Sequence, residues 1–547
     1  MDTEKIISKM TLEEKIGQLC VPILQKGDIT DELKWYIEQR HIGMLRFCPN
    51  AEFDNASEVV GEPNKYRSPS EMAEFLNSIQ EFSINATGIP LFISVDQEGS
   101  TRNDINRAGA FAYSGHMSFG AADDPELTYE ISKATAKEFR SMGINHVQSP
   151  ICDVLTYDGR QTMKAATFGE DPKKVAQHAN AMMKGLQDGG VASMGKHFPG
   201  YGSIATDAHK GVAEIFKSVE ELESEDLVPF IRICDNGVNG IMIGHVVTHC
   251  IDGTCPATLS PKVIKGYLRE KLGFNGIIMT DAMRMHAIQD CYGTGAASVM
   301  AVQAGCDLVL LRGSKEHFEE GYNALLKAAK EGTLPIEDID NSIRRILTQK
   351  ERAGILDNPY ADGKIADETV GCTAHRALSK KLAEKSITAL KSKNIPVKDK
   401  GQKVLAISVE PQKIGAAMDE IQSIDMLPKA VASKFKNTEK LMIHLNPTEE
   451  DKKICLEKAK NADLIIFGMC NGIIYEKQEP VVKALHNTGK QLIVVGMDSP
   501  YDVELVPYVD GFIATYGVAN DSMTAALDVI CGNKKGDAKC PVTIKKI

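Results

Sequence analysis

The chain has 547 residues, of which 43% are hydrophobic, 25% charged and 6% aromatic. This composition is ordinary for a globular protein and excludes a disordered, collagen-like or coiled-coil chain. The 63 basic and 74 acidic side chains give a formal net charge of −11, which argues against nucleic acid and against an anionic membrane surface as partners.

The amino-terminal segment and the cysteines predict a cytoplasmic protein. The segment MDTEKIISKMTLEEKIGQL is charged and amphipathic, and it lacks the apolar core of a secretory signal. No apolar run approaches the roughly 20 residues of a membrane helix. The 13 cysteines include no CxxC pair, so we expect reduced thiols rather than a disulfide framework or a zinc ribbon.

Eight short apolar runs alternate with helix-patterned segments in the first part of the chain. Most are continuously apolar, as expected for parallel strands that are buried on both faces. Eight βα units predict a (β/α)₈ barrel, although a doubly wound open sheet also fits the count. The runs are Val21–Gln25, Gly43–Phe47, Leu91–Asp96, Asn145–Pro150, Val191–His197, Gly240–Val246, Gly276–Asp281 and Cys306–Leu311.

A second, smaller α/β pattern follows the polar, basic segment Lys391–Lys403. Its apolar runs are VLAISV, KLMIHL, ADLIIFGM, KQLIVVGM and GFIATYG, which suggest a doubly wound, mainly parallel sheet. No GxGxxG follows the first run, so dinucleotide binding is not supported. We predict a catalytic barrel over residues 1–350, a linker with connecting helices over 351–400, and a second α/β domain over 401–547.

Ionisable residues lie at the ends of four of the eight apolar runs. In a barrel these positions meet at the carboxyl ends of the strands, where function is concentrated. Any one of them is more simply a structural ion pair, but four together indicate an active site. The residues are Asp96 and Glu98 at the end of the third run, Lys196 and His197 at the end of the fifth, His245 at the end of the sixth, and Asp281 at the end of the seventh.

The loop after the fifth run, PGYGSIATDAHKG, places Asp207 two residues before His209. A carboxylate that holds an imidazole fixes its tautomer and raises its pKa, which makes a general acid–base near neutral pH. Taken alone, the pattern is more typical of a surface loop with two unrelated polar residues.

Asp281 together with this dyad matches the chemistry of a retaining glycosidase. Such an enzyme needs one carboxylate nucleophile and one acid–base group. Asp96, Lys196 and His197 would then bind sugar hydroxyls. The alternative is an aldolase with a Schiff base on Lys196, which needs a desolvated lysine. His197 and two carboxylates predict a wet, hydrogen-bonding pocket instead.

At these residues the sequence resembles glycoside hydrolase family 3, and within it the β-N-acetylglucosaminidase branch. The branch pattern KHFPGHG followed by D-S-H is met by KHFPGYG and then DAH, and the nucleophile pattern is met by GIIMTD. The resemblance covers nearly the whole chain. Further matching segments are DQEG, PATLS, LGFNG, AGCDLVLL and the final PVTI.

The resemblance implies a barrel followed by an α/β sandwich domain. It implies that Asp281 is the nucleophile and that His209 is the acid–base group, supported by Asp207. Asp96, Lys196 and His197 would bind the sugar next to the cleaved bond. Some members of the branch use phosphate in place of water. Two further pocket residues are expected, which are Met285 in the methionine position of the nucleophile motif and His245 as a polar wall.

Departures from the family pattern are concentrated on the side that recognises the sugar. Thr101 and Ala166 occupy positions where the family has arginine, and Tyr201 replaces a loop histidine. Alanine cannot replace a bidentate arginine, and losing such a contact costs about 1.5–3 kcal/mol. The identity of the sugar therefore stays open. Candidates to compensate are Arg102, Arg107, Lys164 or a side chain of the second domain.

We therefore predict a retaining, exo-acting β-N-acetylhexosaminidase that needs no metal or organic cofactor. One alternative is a glycosidase or phosphorylase that acts on a different or modified β-linked sugar. Another is a silent sugar-binding homologue, which would not need the nucleophile and the dyad intact. His245 and His249 are four residues apart but straddle a strand end, so they do not favour a metal site. The oligomeric state is left open.

Overall fold

The computed structural model describes residues 3–24, 28–48, 53–54, 58–59, 67–99, 102–104, 113–204, 212–410 and 425–545. Eight parallel strands follow the predicted runs, and all but the fifth are shorter than the run. They are β1 (Cys20–Val21 and Ile23–Leu24), β2 (Met44–Phe47), β3 (Phe92–Val95), β4 (His146–Val147), β5 (Ala192–Phe198), β6 (Gly240–Ile243), β7 (Ile277–Thr280) and β8 (Val309–Leu310).

The eight strands close into a ring. Strands β1 to β7 are neighbours in chain order. A parallel bridge between Met279 and Leu308 joins β7 to β8, and the pairing of Cys20 with Val309 joins β8 back to β1. The predicted (β/α)₈ barrel is therefore confirmed, and the open sheet is excluded.

Helices separate the barrel strands, and several begin at side-chain caps that the sequence encodes. Ser68, Asp124 and Asp171 each accept a backbone N–H of the helix that they precede. Proline follows each of them, where its missing N–H costs no hydrogen bond. The helices are Asp31–Glu38, Pro69–Thr87, Pro125–Ser141, Pro172–Asp188, Val228–Asp235, Lys262–Lys271, Thr294–Ala304, Lys315–Lys330 and Ile336–Arg352.

The second domain is a six-stranded sheet between helices. Five strands are those that the sequence predicts, whereas β9 lies in the stretch predicted as linker and pairs antiparallel with β14. The order is β9-β14-β13-β12-β10-β11, and the other pairs are parallel. The strands are β9 (Thr388–Ser392), β10 (Val404–Val409), β11 (Thr438–Ile443), β12 (Leu464–Met469), β13 (Gln491–Gly496) and β14 (Gly511–Ala514).

Helices also connect and cover this sheet. Gly363–Thr369 and Thr373–Ser386 lead into β9, and the sheet is flanked by Met426–Lys434, Glu449–Ala459, Gln478–His486 and Asn520–Ile530. The boundaries 1–350, 351–400 and 401–547 stay a prediction. No helix in the described part of the chain is long and apolar enough to cross a membrane.

The carboxyl edge of the second sheet packs against a loop of the barrel. Gly115 N donates to the carbonyl of Tyr516 at 2.9 Å, and the hydroxyls of Ser114 and Ser522 share a hydrogen bond of 2.6 Å. A Cβ on Gly115 would lie 2.7 Å from the carbonyl oxygen of Ala165 and 3.1 Å from that of Tyr516. The contact therefore requires glycine at this position.

A lysine is buried at the end of the barrel opposite the carboxyl ends of the strands. Lys350, on the helix Ile336–Arg352, has no exposed surface. Its Nζ lies 5.7 Å from the ring centroid of Phe92, the first residue of β3, and has no hydrogen-bond partner among the described residues. Burial lowers the pKa of the Lys350 amine to about 7, since an apolar site disfavours the charge.

We expect Lys350→Met to stabilise the protein, and more so at pH 7 than at pH 10. The unfolded chain binds this proton up to about pH 10.5, whereas the folded state releases it near 7. The lysine therefore costs stability below its unfolded pKa, about 4 kcal/mol at pH 7, and the cost fades as pH rises toward 10. Thermal unfolding at both pH values measures this. An equal Tm difference at the two pH values would contradict the explanation.

Candidate active site

A network of buried charges lies at the carboxyl ends of β2, β3 and β5. Lys196 Nζ donates to Asp96 Oδ1 and to Glu98 Oε1, both at 2.6 Å. The second oxygen of Asp96 accepts from the guanidinium of Arg46. The Lys196 side chain is only 3% exposed, whereas that of Asp96 is 28% exposed. Asp96 is therefore oriented by two cations and still reaches the mouth of the barrel.

The charges in this network hold one another ionised. Burial opposes the ionisation of Asp96, but Arg46 and Lys196 outweigh it and hold the pKa of that carboxyl well below its usual range. Burial also opposes the charge on Lys196, and Asp96 and Glu98 outweigh it, so its pKa is raised. An amine held protonated in this way does not act as a nucleophile, which disfavours the Schiff-base alternative.

Arg46 and Asp104 are members of the network that the sequence reasoning missed. Arg46 also bonds to the carboxylate of Asp104, and Asp104 Oδ2 accepts the backbone N–H of Asp96 at 2.7 Å. Burial disfavours the Arg46 charge, but Asp104 and Asp96 raise its pKa above the ordinary value. The sequence pattern that could have identified Arg46 is an arginine inside an apolar run. An arginine buried in this way needs carboxylate partners.

His197 is oriented by a carboxylate that was also missed. Its Nδ1 donates to Oδ2 of the fully buried Asp153 at 2.9 Å. Asp153 also accepts the backbone N–H of Tyr201 at 2.6 Å, and the rings of His197 and Tyr201 lie 5.1 Å apart. Burial opposes the imidazolium, but Asp153 outweighs it and raises the pKa of His197.

Asp281 directly follows β7, as predicted. Its backbone N–H donates to the carbonyl of Ile243 at 3.0 Å, which ties it to β6. Its Oδ1 accepts the backbone N–H of Ala282 at 2.7 Å. Met285 is buried in the turn that follows, where its N–H donates to the carbonyl of Ala282 at 3.0 Å.

His245 is fully buried, and both of its ring nitrogens have hydrogen-bond partners within the chain. Its Nδ1 pairs with Thr258 Oγ1 at 2.8 Å, and its Nε2 with the carbonyl of Ala282 at 3.0 Å. His249 lies elsewhere and pairs with Glu214 at 3.2 Å. Among the described residues, no group of three or more His, Cys, Asp or Glu side chains is placed to hold a metal ion.

Arg312 is a further missed residue at the mouth. The backbone bond from Met283 N to the carbonyl of Leu310, 3.0 Å long, sets the chain after β8 beside the chain after β7. Burial lowers the pKa of Arg312, while the charges of Asp281 and Asp96 oppose this. The charge of Asp281 also acts on His197. The structure thus brings the predicted Asp96, Lys196, His197 and Asp281 to one mouth.

Several predicted residues lie outside what the structure describes. Asp207 and His209 fall in the segment 205–211, and Thr101 and Arg107 are also outside. Arg102 belongs to a short strand with Asn103, but its side chain is not described. Ala166 is buried, and its carbonyl accepts from His116 Nδ1 at 2.9 Å.

Similar proteins match between about half and nearly all of this chain. Beta-hexosaminidase A of Pseudoalteromonas piscicida is 27% identical over 560 residues, which cover 92% of this chain and 89% of that protein. A beta-hexosaminidase of Nitrosomonas eutropha is 33% identical over 273 residues, covering 49% of this chain and 76% of its own. A family 3 beta-N-acetylglucosaminidase from Paenibacillus sp. superposes with a TM-score of 0.89 at 28% identity, covering 98% and 100% of the two chains.

The family assignment rests on the barrel itself. Residues 11–349 match the family described as the Glycosyl hydrolase family 3 N terminal domain, and these residues are well over half of the chain. The chain therefore belongs to glycosyl hydrolase family 3, and the protein is a glycoside hydrolase.

Proposed function

We propose that the protein is a retaining, exo-acting β-N-acetylhexosaminidase that releases terminal β-linked sugars of the N-acetylglucosamine type. The observation that carries this proposal is the meeting of Asp281 with Asp96, Lys196 and His197 at one barrel mouth. The relatives named beta-hexosaminidase and beta-N-acetylglucosaminidase support the choice of sugar.

Asp281 is the proposed nucleophile. One of its oxygens is held by the N–H of Ala282, which fixes the carboxylate at the end of β7. The other oxygen would attack the anomeric carbon and form a covalent glycosyl-enzyme, which water then hydrolyses. This reaction needs a nucleophile and a proton-transferring group, so we propose that no metal or organic cofactor takes part.

Asp96, Lys196 and His197 are the proposed sugar-binding residues. Asp96 is ionised and partly exposed, so it can accept hydrogen bonds from sugar hydroxyls. Because Lys196 and Arg46 already fix its orientation, little side-chain freedom is lost when the sugar binds. Each hydrogen bond to a charged group of this kind contributes about 1.5–3 kcal/mol.

His209, supported by Asp207, is the proposed acid–base group. It would protonate the leaving oxygen and then activate water. Met285, His245 and Arg102 complete the proposed pocket. We further propose that the protein acts in the cytoplasm on a small carbohydrate, without a nucleic acid or membrane partner.

Phosphorolysis is a second candidate function. Arg312 beside Asp281 offers a guanidinium to an anion that approaches the glycosyl-enzyme, and guanidinium groups bind phosphate well. An imidazole acid–base group also repels phosphate less than a carboxylate would.

The substrate and the nucleophile are tested together with 4-nitrophenyl β-glycosides, with and without phosphate. The panel contains the N-acetylglucosaminide, N-acetylgalactosaminide, glucosaminide, glucoside, galactoside and xyloside. We expect the N-acetylglucosaminide to be preferred and Asp281→Ala to lower kcat/KM at least about 10⁴-fold, since no other group forms the intermediate. Asp290→Ala, at an exposed carboxylate paired with His286, is the matched control. Turnover by Asp281→Ala at the native rate would refute the assignment.

The acid–base role is tested by the leaving group. His209→Ala removes the proton donor, so we expect kcat/KM to fall about 10²–10⁴-fold for a β-linked disaccharide. It should fall far less for a 2,4-dinitrophenyl glycoside, whose leaving group needs no protonation. Asp207→Asn should act in the same direction but more weakly. His286→Ala is the control. An equal loss on both substrates would rule out an acid–base role for His209.

Arg312 is expected to support substrate or acceptor binding at the mouth. Arg312→Met should lower kcat/KM about 10- to 100-fold, which corresponds to about 1.5–3 kcal/mol for a charged hydrogen bond, and Arg312→Lys should lower it less. Arg344→Met, which breaks surface contacts with Glu4 and Asn341, is the control. If phosphate is the acceptor, the loss should be larger with phosphate than with water. Unchanged kinetics in Arg312→Met would contradict this role.

A further inference from the structure

Phe216 is the most exposed large hydrophobic side chain in the described part of the chain, with 74% of its surface open to solvent. It is not isolated. Its ring stacks on the imidazole of His249, with centroids 4.4 Å apart and planes inclined by only 12°. One face of the phenyl ring is thus covered by His249, and its remaining surface is largely open.

This stacked pair lies on the same face of the barrel as the candidate site. Ala213–Ile215, in the loop after β5, pairs in parallel with Val246–Thr248, in the loop after β6. Loops that follow barrel strands form the active-site face. Val246 directly follows the buried His245. Phe216 and His249 lie at the far end of this ribbon, roughly 10 Å further along it at about 3.3 Å per residue.

The exposed ring is held in place from both sides. His249 N donates to the carbonyl of Ile215 at 3.1 Å, and His249 Nε2 pairs with Glu214 at 3.2 Å. Lys217, the next residue after Phe216, bonds to the buried carboxylate of Asp226.

Asp226 in turn packs closely against Gly200, at the start of the loop after β5. A Cβ on Gly200 in that loop would lie 3.0 Å from the Cβ of Asp226. Phe216 gains little burial from the described residues around it, so packing against that part of the chain does not account for the arrangement. Fixed apolar surface of this kind is typical of a binding site.

We propose that Phe216, stacked on His249, is a platform for the sugar ring of the leaving group. This proposal rests on the proposed function. The proposed acid, His209, precedes Phe216 by seven residues in the sequence, so both belong to the connection that follows β5. The acid protonates the oxygen of the bond that is cleaved, so we assign the platform to the leaving group.

The chemistry of the platform suits a β-linked pyranose. Such a ring presents an apolar C–H face that packs on a flat aromatic ring, while its hydroxyls stay in water. Because the ribbon extends away from His245, we place the platform outside the position of the sugar bonded to Asp281. Phe216 therefore contributes to the choice of the leaving group and not to the sugar that is released.

The first test compares two substrates that share the transferred sugar. N-acetylglucosaminyl β-fluoride has a leaving group too small to reach the platform, whereas the β-1,4-linked N-acetylglucosamine trisaccharide reaches it. Phe216→Ala should lower kcat/KM for the trisaccharide about five- to tenfold and leave the fluoride within about twofold. Phe216→Trp should keep the trisaccharide activity, because it restores a stacking surface. Tyr360→Ala, at an exposed aromatic side chain in the connecting segment, is the matched control.

A binding measurement separates the platform from catalysis. In the Asp281→Ala protein, calorimetry should show that Phe216→Ala weakens binding of the trisaccharide about five- to tenfold but leaves the monosaccharide unchanged. Equal losses for both ligands, no loss for either, or no trisaccharide binding before Phe216 is changed would each overturn the platform. Full turnover by Asp281→Ala would instead overturn the proposed function, and the binding comparison would still decide the role of Phe216.

Discussion

The geometry of the barrel mouth depends on the placement of Asp96 between two buried cations. Arg46 comes from β2, Asp96 follows β3, and Lys196 comes from β5, so the network joins three strands that are distant in the sequence. Each charge alone would be expensive to bury, and removing one partner of such a pair costs about 3–5 kcal/mol. The network is therefore satisfied only when these strand ends meet in the observed register. The strand register that closes the barrel is therefore also the register that orients Asp96.

The second domain also helps to hold the chain that carries Glu98. Gly99, which follows Glu98 of the network, has a positive φ of 80°, and a Cβ there would lie 2.4 Å from the carbonyl oxygen of Ser114. Ser114 in turn bonds to Ser522 of the second domain. The chain that carries Glu98 is thus packed against a loop that the second domain holds. This contact gives the second domain a positional role at the site.

The sequence predicted those elements that a pattern of neighbouring residues encodes. The continuous apolar runs predicted the barrel strands, and polar residues at their ends predicted the positions of Lys196 and Asp281. Strand β9, Thr388–Ser392, was missed because it is short, partly exposed and contains polar residues at the edge of the sheet. Asp153 was missed as the partner of His197, 44 residues away, because spacing along the chain does not tell which loops meet. Arg46 could have been identified from its position inside an apolar run, but no sequence pattern identified its carboxylate partners.

The arginines at the barrel mouth, Arg46 and Arg312, suggest how this chain recognises a sugar without the family arginine at position 166. Where the resemblance expects arginine at position 166, this chain has a buried alanine whose carbonyl is bonded to His116, so the backbone there is fixed without a guanidinium. Arg46 is committed to Asp96 and Asp104, and an arginine held by two carboxylates orients them rather than replacing a lost contact to substrate. Arg312 interacts electrostatically with both Asp281 and Asp96. Under the proposed function this charge lies near the nucleophile, where it would act on the incoming acceptor, so we propose that selectivity in this chain is concentrated there.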